Sequence, residues 1–174
     1  MSIEASASLL KKRLSRIQWG DISEDYLHSL ISCARLEDIE GYGLKKHPQH
    51  SEDVSSAISG VRGEMKAHLV AREPLVVCGL LLIAKILEIY GGNAVFTPQT
   101  EDGSSVKATS ILGSLAGDAL TILAAERVIL NFIQRLSGIA SNTHRYVEQM
   151  EHSPTKLLDT RKTTPGWRVL EKYA

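Results

Sequence analysis

The residues best suited to bind an anion lie in the C-terminal segment LLDTRKTTPGWRVLEKYA, where two adjacent cations stand among hydroxyls. Arg161 can hold a carboxylate or a phosphate through two parallel hydrogen bonds, and Lys162 adds a compact positive charge beside it. Thr160, Thr163 and Thr164 supply small hydroxyl donors that suit phosphate oxygens. Residue types alone leave two interpretations open, an anion-binding site and a basic turn that only meets solvent.

A second polar group lies in the segment AAERVILNFIQRLSGIAS, which is otherwise apolar. Arg127, Asn131 and Gln134 are spaced i, i+4 and i+7, so they share one face of a helix. One interpretation is that this face simply meets water. The other is that Arg127 projects from a buried helix into a neighbouring site, where a cation without a partner is costly until an anion binds.

Other potentially reactive side chains lack the partners that their chemistry would need. His47 and His50 form an HPQH step without cysteine or acidic residues at ligand spacing, which favours a loop pair over a metal site. Cys33 and Cys78 lack CxxC spacing and a histidine partner. They therefore indicate structural thiols in a reducing compartment.

Composition indicates a globular protein and argues against some classes of partner. Of the 174 residues, 43% are apolar, and 20 Lys and Arg balance 20 Asp and Glu. No net charge therefore favours nucleic acid or an anionic membrane. The most apolar stretch, residues 75–90, is too short to span a membrane, and the N-terminal residues lack the apolar core of a secretory signal. We expect a cytoplasmic protein with no membrane segment.

The apolar pattern predicts helices and a small antiparallel sheet that position these side chains. Helical spacing predicts helices over residues 9–17, 23–36, 80–90 and 118–150, and from Trp167 onwards. Alternation predicts strands over residues 63–73, 94–97 and 105–114, the last two around a turn at 101–103, with a short strand before Gly79 and another over 156–159. Residues 37–60 are rich in glycine, histidine, proline and serine, which predicts a loop.

Two of these segments resemble paired signatures of quinolinate phosphoribosyltransferases. ERVILNFIQRLSGIAS is similar to ERxxLNFxQRxSGIAT, and DTRKTTPGWRVLEKYA is similar to DTRKTxPGLRxxEKYA. Two long motifs in this order and at this distance are more specific than either alone. LEDIEGYG, LVAREPLVVCGL and EDGSSVKATSILGSLAGDALTILAAER also resemble segments of that family, so the resemblance runs from about residue 36 to residue 174.

The resemblance implies a pentosyltransferase that joins quinolinate to phosphoribosyl pyrophosphate, giving nicotinate mononucleotide, pyrophosphate and carbon dioxide. It also implies a homodimer with active sites shared between subunits, and Mg²⁺ bound with the pyrophosphate. By analogy, Arg127 reaches the neighbouring subunit's site and binds a quinolinate carboxylate. Thr160, Arg161 and Lys162 then bind the substrate anions. No catalytic residue and no protein ligand of the metal is assigned within this chain.

The expected fold class is α+β. An N-terminal antiparallel sheet with packed helices, an open-faced sandwich, is expected over residues 1–117. The long helix and the first strand of an α/β barrel are expected over residues 118–174. Because a barrel takes at least ~200 residues, we expect an incomplete barrel with exposed apolar faces, which predicts self-association or low stability.

The chain also departs from the family pattern. Trp167 replaces the usual leucine, Ser141 replaces the usual threonine, and LEDIEGYGLKKH lacks the usual Asp-Leu-Thr. The family's later His-Arg pair, second lysine, and acidic metal and ribose ligands have no counterpart, so we expect these 174 residues to be inactive alone. Two alternatives stay open: a non-catalytic dimerisation or regulatory module, and a same-fold phosphoribosyltransferase-like protein with another substrate.

Overall fold

The computed structural model describes residues 16–47, 60–91 and 93–174. Its helices are α1 (Glu24–Glu40), α2 (Leu80–Ile89), α3 (Ala119–Gln149) and α4 (Arg168–Tyr173), and a short 3-10 turn (Trp19–Asp21) precedes α1. Its strands are β1 (Glu64–Val70), β2 (Leu75–Val76), β3 (Ala94–Pro98), β4 (Ser105–Val106) and β5 (Ile111–Asp118). The helices predicted over residues 23–36, 80–90 and 118–150 and from Trp167 are confirmed.

Helix α1 begins and ends at residues that favour those positions. Ser23 Oγ accepts a hydrogen bond from the backbone N–H of Tyr26 at 3.4 Å, and Gly41 ends the helix with φ +65°. The helix continues past its predicted end, so residues 37–40 of the predicted loop are helical. Residues 48–59 of that loop lie outside the described residues, as does the predicted helix over 9–17 apart from its last two positions.

A three-stranded antiparallel sheet supports the helices, with β5 between β1 and β3. The backbones of β3 and β5 approach closely at Gly117, which has φ +135°. A Cβ atom on Gly117 would lie 2.0 Å from the carbonyl oxygen of Asn93, so this position requires glycine. The strands predicted over residues 63–73 and 94–97 are confirmed.

The single strand predicted over residues 105–114 is wrong, because the chain there forms two strands in two sheets. Strand β4 pairs with β2, placing Val106 opposite Leu75, whereas β5 joins the three-stranded sheet. Between them, Thr109 has φ +68° and donates its backbone N–H to the carbonyl of Ala71 at 2.7 Å. The turn at residues 101–103 therefore connects β3 to β4, and the partner of β3 is β5.

Helix α3 carries the largest part of one continuous apolar core. Its first turn is capped by Asp118, whose carboxylate accepts the backbone N–H and the hydroxyl of Thr121 at 2.9 and 2.8 Å. These hydrogen bonds hold the pKa of Asp118 below its ordinary value. The buried face of α3 contacts α2 and β2, and Ser137 Oγ accepts the backbone N–H of Cys78 at 3.0 Å. Burial raises the pKa of the Cys78 thiol to about 12, so the thiol stays protonated at neutral pH.

The strand predicted over residues 156–159 is wrong. These residues are extended, but no strand among the described residues pairs with them, and Leu157 and Leu158 are 45% and 62% exposed. A strand of a parallel sheet needs a neighbour on at least one side for its backbone groups. The mixed helix-and-sheet class is confirmed, whereas the division at residue 118 stays a prediction. None of the described helices is long and apolar enough to cross a membrane.

Asp102 connects the turn before β4 to two helices. Its carboxylate accepts the backbone N–H groups of Gly79 and Leu80, both at 2.9 Å, at the start of α2. A carboxylate at this position satisfies N–H groups that have no partner within the helix. Asp102 also accepts the Tyr173 hydroxyl at 3.0 Å, which joins α4 to the same point. Burial and then Asp102 raise the pKa of Tyr173, which keeps the hydroxyl available as a donor.

Replacing Asp102 with alanine is expected to lower the free energy of unfolding by about 1.5–3 kcal/mol, the range for a hydrogen bond to a charged group. Glu101→Ala is the matched control, since Glu101 is adjacent and exposed, and it should cost less than about 0.5 kcal/mol. Urea denaturation followed by circular dichroism measures both. Equal, small effects of the two substitutions would show that this cap does not stabilise the fold.

Candidate functional site

Thr160, Arg161 and Lys162 lie together on the extended segment between α3 and α4, and all three are exposed. The backbone N–H of Lys162 donates to Thr160 Oγ1 at 3.0 Å, which bends the chain locally. In the described part of the chain, neither Arg161 nor Lys162 forms an ion pair with a carboxylate. Both side chains are therefore open to an incoming anion.

Hydrogen bonds between Thr164 and side chains of α3 and α4 hold this part of the chain against α3. Arg135 donates to the Thr164 hydroxyl and, through Nε, to Glu171 Oε1 at 3.0 Å. The other carboxylate oxygen of Glu171 accepts the backbone N–H of Thr164 at 3.1 Å. Burial alone would raise the pKa of Glu171, but the hydrogen bonds from Arg135 and Thr164 outweigh it and lower that pKa. The ionised carboxylate thus joins α4, α3 and Thr164.

Trp167 packs directly beneath this cluster. Its ring stacks on Phe132 of α3 with centroids 4.4 Å apart and an interplanar angle of 22°. The guanidinium carbon of Arg135 lies 5.6 Å from the Trp167 ring centroid, a cation–π distance. Tyr26 of α1 donates its hydroxyl to the Gly166 carbonyl at 2.6 Å. The tryptophan that departs from the family pattern therefore fills the space between α3 and the turn.

Three further hydrogen bonds connect residues 159–163 to α4. Arg168 donates from Nε to Thr163 Oγ1 at 3.1 Å and from its terminal nitrogen to the Arg161 carbonyl at 3.3 Å. Lys172 Nζ donates to Asp159 Oδ2 at 2.6 Å. The hydroxyl oxygens of Thr163 and Thr164 thus accept bonds from guanidinium groups, which gives these two residues a positioning role that their residue types alone did not indicate.

Arg127 has a carboxylate partner on α1. Its Nε and terminal nitrogen donate to the two oxygens of Asp38 at 2.8 and 3.3 Å, and its side chain is 45% exposed. Asp38 also accepts the Tyr90 hydroxyl at 3.3 Å, and burial followed by Asp38 raises the pKa of Tyr90. Arg127 therefore does not stand without a partner within this chain, whereas its binding of a quinolinate carboxylate stays a prediction.

The polar stripe of α3 meets solvent within this chain. Asn131 and Gln134 are exposed, as is Arg127. A shallow open depression lies further along the same helix, lined by Gln134, Arg135, Gly138, Ile139 and Asn142. Arg127 and Arg135 are eight positions apart, which is about 12 Å along a helix axis. Arg127 is thus bonded to α1, whereas the segment that carries Arg161 is bonded to the middle of α3.

Sequence reasoning missed Asp38, Arg135 and Glu171 as contributors to the site. Arg135 lies four positions after Asn131, a spacing that indicates a shared helix face and could have included it. Asp38 lies 89 positions from Arg127. No local spacing rule connects residues so far apart.

The family models for the two domains of quinolinate phosphoribosyl transferase both match this chain. The N-terminal domain model matches residues 53–137 and the C-terminal domain model matches residues 139–174. Together they cover most of the chain in the order expected from the two motifs. The chain belongs to the quinolinate phosphoribosyltransferase family.

Curated relatives in this family support the assignment. A probable nicotinate-nucleotide pyrophosphorylase (carboxylating) from Synechocystis is 40% identical over 122 residues, which are 70% of this chain and 41% of that protein. The nicotinate-nucleotide pyrophosphorylase (carboxylating) of Mycobacterium leprae is 32% identical over 159 residues, 89% of this chain and 52% of that protein. The chain therefore spans about half the length of the curated relatives it matches.

Solved structures from the same quinolinate phosphoribosyltransferase family share the fold. The nicotinate-nucleotide pyrophosphorylase of Francisella tularensis matches with a TM-score of 0.78 and 32% identity, covering 91% of this chain and 54% of that one. The enzyme of the same name from Ehrlichia chaffeensis matches with a TM-score of 0.71 and 33% identity, covering 87% and 51%. The antiparallel sheets and packed helices described above thus match known members of the family.

The lowered pKa of Glu171 predicts a stability that depends on pH. Its carboxylate contributes stability above the ordinary pKa of 4.5, and this contribution is lost as the pH falls through the lower folded-state pKa. Glu171→Gln should therefore destabilise the chain at neutral pH, and its difference from the wild type should shrink in acid. Urea denaturation across this range measures the difference.

Glu126→Gln is the matched control for this pH dependence, because Glu126 is exposed on α3. Its effect should be small at every pH. A difference between Glu171→Gln and the wild type that stays constant from neutral pH into acid would contradict the assignment of Glu171 as the ionised partner.

Proposed function

We propose that this chain contributes to quinolinate phosphoribosyltransferase activity in NAD biosynthesis. In this reaction quinolinate and phosphoribosyl pyrophosphate give nicotinate mononucleotide, pyrophosphate and carbon dioxide. The observation that carries the proposal is the adjacent pair Arg161 and Lys162, exposed and without a carboxylate partner in the described residues, on a segment that α3 and α4 hold in place. The names of the relatives, nicotinate-nucleotide pyrophosphorylase (carboxylating), support the same reaction.

The chemistry of both substrates suits such a pair. Quinolinate is a dicarboxylate and phosphoribosyl pyrophosphate carries several phosphate charges, so the reactants repel each other unless fixed cations lie between them. The Arg161 guanidinium can bind one carboxylate or phosphate through two parallel bonds, and Lys162 can bind a second oxygen. Thr160 Oγ1 already accepts the Lys162 N–H and keeps its own O–H as a donor. These residues would bind and orient the reactants rather than take part in bond cleavage.

In the proposed homodimer, Arg127 binds a quinolinate carboxylate in the neighbouring subunit's site. Asp38 then has a positioning role, because its two oxygens hold the guanidinium of Arg127 from the side of α1. Since the Asp38 side chain is only 17% exposed, the pair is partly shielded from solvent, and its geometry is set by the packing of α1 on α3. Arg127 would thus share its charge between Asp38 and the substrate.

Mg²⁺ remains part of the proposal only as a companion of the pyrophosphate group. Residues 16–47, 60–91 and 93–174 contain no group of three His, Cys, Asp or Glu that could hold a metal ion. The described cations fit the phosphate oxygens instead, so we assign no step of the reaction in this chain to the metal.

The reducing compartment indicated by Cys33 and Cys78 makes the cytoplasm the predicted location.

A chimera tests the proposed activity. This chain would replace the part of the Francisella tularensis protein that it matches, about half of that protein's length. The chimera is expected to form nicotinate mononucleotide from quinolinate, phosphoribosyl pyrophosphate and Mg²⁺, as measured by liquid chromatography. A folded chimera that binds phosphoribosyl pyrophosphate but neither binds nor converts quinolinate would refute the proposal and favour the alternative of another substrate.

In the same chimera, Arg161→Ala is expected to weaken quinolinate binding by about 1.5–3 kcal/mol, or roughly 10- to 150-fold, the loss expected for a charged hydrogen bond. Arg145→Ala, which removes an exposed cation of α3, is the matched control and should leave the affinity unchanged. Isothermal titration with quinolinate measures both. Equal affinities of the Arg161→Ala and Arg145→Ala proteins would remove Arg161 from the site.

A further inference from the structure

Thr164 is held from two sides at once by residues of different helices. Arg135 of α3 donates to its hydroxyl, and Glu171 of α4 accepts its backbone N–H at 3.1 Å. Arg135 and Glu171 are themselves joined, with Nε to Oε1 at 3.0 Å. The three residues form a closed ring of hydrogen bonds, which we call the Thr164 clamp. Moving any one member breaks contacts to both of the others.

The clamp lies close enough in the chain to Arg161 and Lys162 to influence where they lie. Residues 151–162 are all exposed, and Thr163 and Thr164 are the first partly buried residues after them. Lys162 is two positions before Thr164 and has no ion pair of its own in the described residues. The place where Arg161 and Lys162 meet a ligand is therefore set by the attachment of Thr164 together with the bonds from α4 to Asp159 and to the Arg161 carbonyl.

Burial of its carboxylate distinguishes the clamp from an ordinary surface ion pair. The side chain of Glu171 is only 9% exposed and that of Arg135 is 45% exposed, whereas those of His144 and Glu148, a pair on α3, are 46% and 62% exposed. Exposed pairs contribute little because solvent screens them and their side chains lose entropy. A buried carboxylate with several donors has one well-defined position. Glu171 thus fixes the position of Thr164 relative to α4.

We propose that Arg135 and Glu171 are positioning residues that hold Arg161 and Lys162 in their ligand-binding arrangement through Thr164. This proposal rests on the proposed function for its ligand, quinolinate. It assigns to Arg135 and Glu171 no contact with the substrate. Its mechanical part, the control of the cationic segment by the clamp, concerns this chain alone.

A charge-swapped variant separates positioning from simple stabilisation. The double substitution Arg135→Glu with Glu171→Arg keeps opposite charges on α3 and α4, but it reverses the donor and acceptor that face Thr164. Its melting temperature should lie closer to the wild type than that of Arg135→Ala. The amide of Thr164, which loses its acceptor on Glu171, should nevertheless exchange its hydrogen about tenfold faster than in the wild type. The amide of Lys162 should also exchange faster, because its bond to Thr160 Oγ1 depends on a segment that is no longer held in place.

The matched control exchanges the exposed pair, His144→Glu with Glu148→His, and should leave exchange at Lys162 and Thr164 unchanged. Amide exchange followed by mass spectrometry or NMR on the 174-residue chain measures all of these proteins. Wild-type exchange at Lys162 in a folded swapped variant would overturn the proposal. Faster exchange there, with the control unchanged, would support it.

The kinetic arm uses the chimera and separates this proposal from the proposed function. The swapped variant should raise the KM for quinolinate about tenfold while changing kcat less, because it misplaces binding groups. Thr164→Val, which keeps the backbone N–H but loses the hydroxyl, should give a smaller rise in the same direction. If even the wild-type chimera fails to bind quinolinate, the proposed function fails, and the exchange measurement still decides whether the clamp positions the segment.

Discussion

The ion pair between Arg135 and Glu171 is the interaction on which the proposed site depends. The segment that carries Arg161 and Lys162 is exposed and pairs with no strand in the described residues, so its own backbone cannot hold it in place. The ionised carboxylate of Glu171 supplies one attachment at Thr164, beside the bonds from Arg168 to the Arg161 carbonyl and from Lys172 to Asp159, and the hydrogen bonds from Arg135 and Thr164 lower its pKa. This contact thus attaches a segment with which no strand pairs in the described residues.

Helix α3 supports this contact because several interactions fix the helix in the fold. One face of α3 is buried in the core, and its cap at Asp118, the Ser137 bond to Cys78 and the stacking of Phe132 on Trp167 restrain the helix at several levels. The opposite face is polar and exposed, with Arg127 held towards α1.

Local rules predicted the elements well and the tertiary contacts poorly. The starts of two helices followed from the capping residues Ser23 and Asp118, whose effects act within a few positions. The strand over residues 105–114 was wrong because apolar alternation cannot tell that Thr109 leaves one sheet for another. The strand over 156–159 was wrong because a strand depends on a neighbour, not only on apolar residues. The motif located Arg127, whereas its contact with Asp38 depends on how α1 packs.

The central claim is that Arg161 and Lys162 receive the pyridine dicarboxylate. A crystal structure of the active chimera with quinolinate tests it most directly. The account predicts a carboxylate of quinolinate within hydrogen-bond distance of the Arg161 guanidinium, with Thr164 still bound by Arg135 and Glu171. Quinolinate bound elsewhere, with Arg161 directed into solvent, would contradict it.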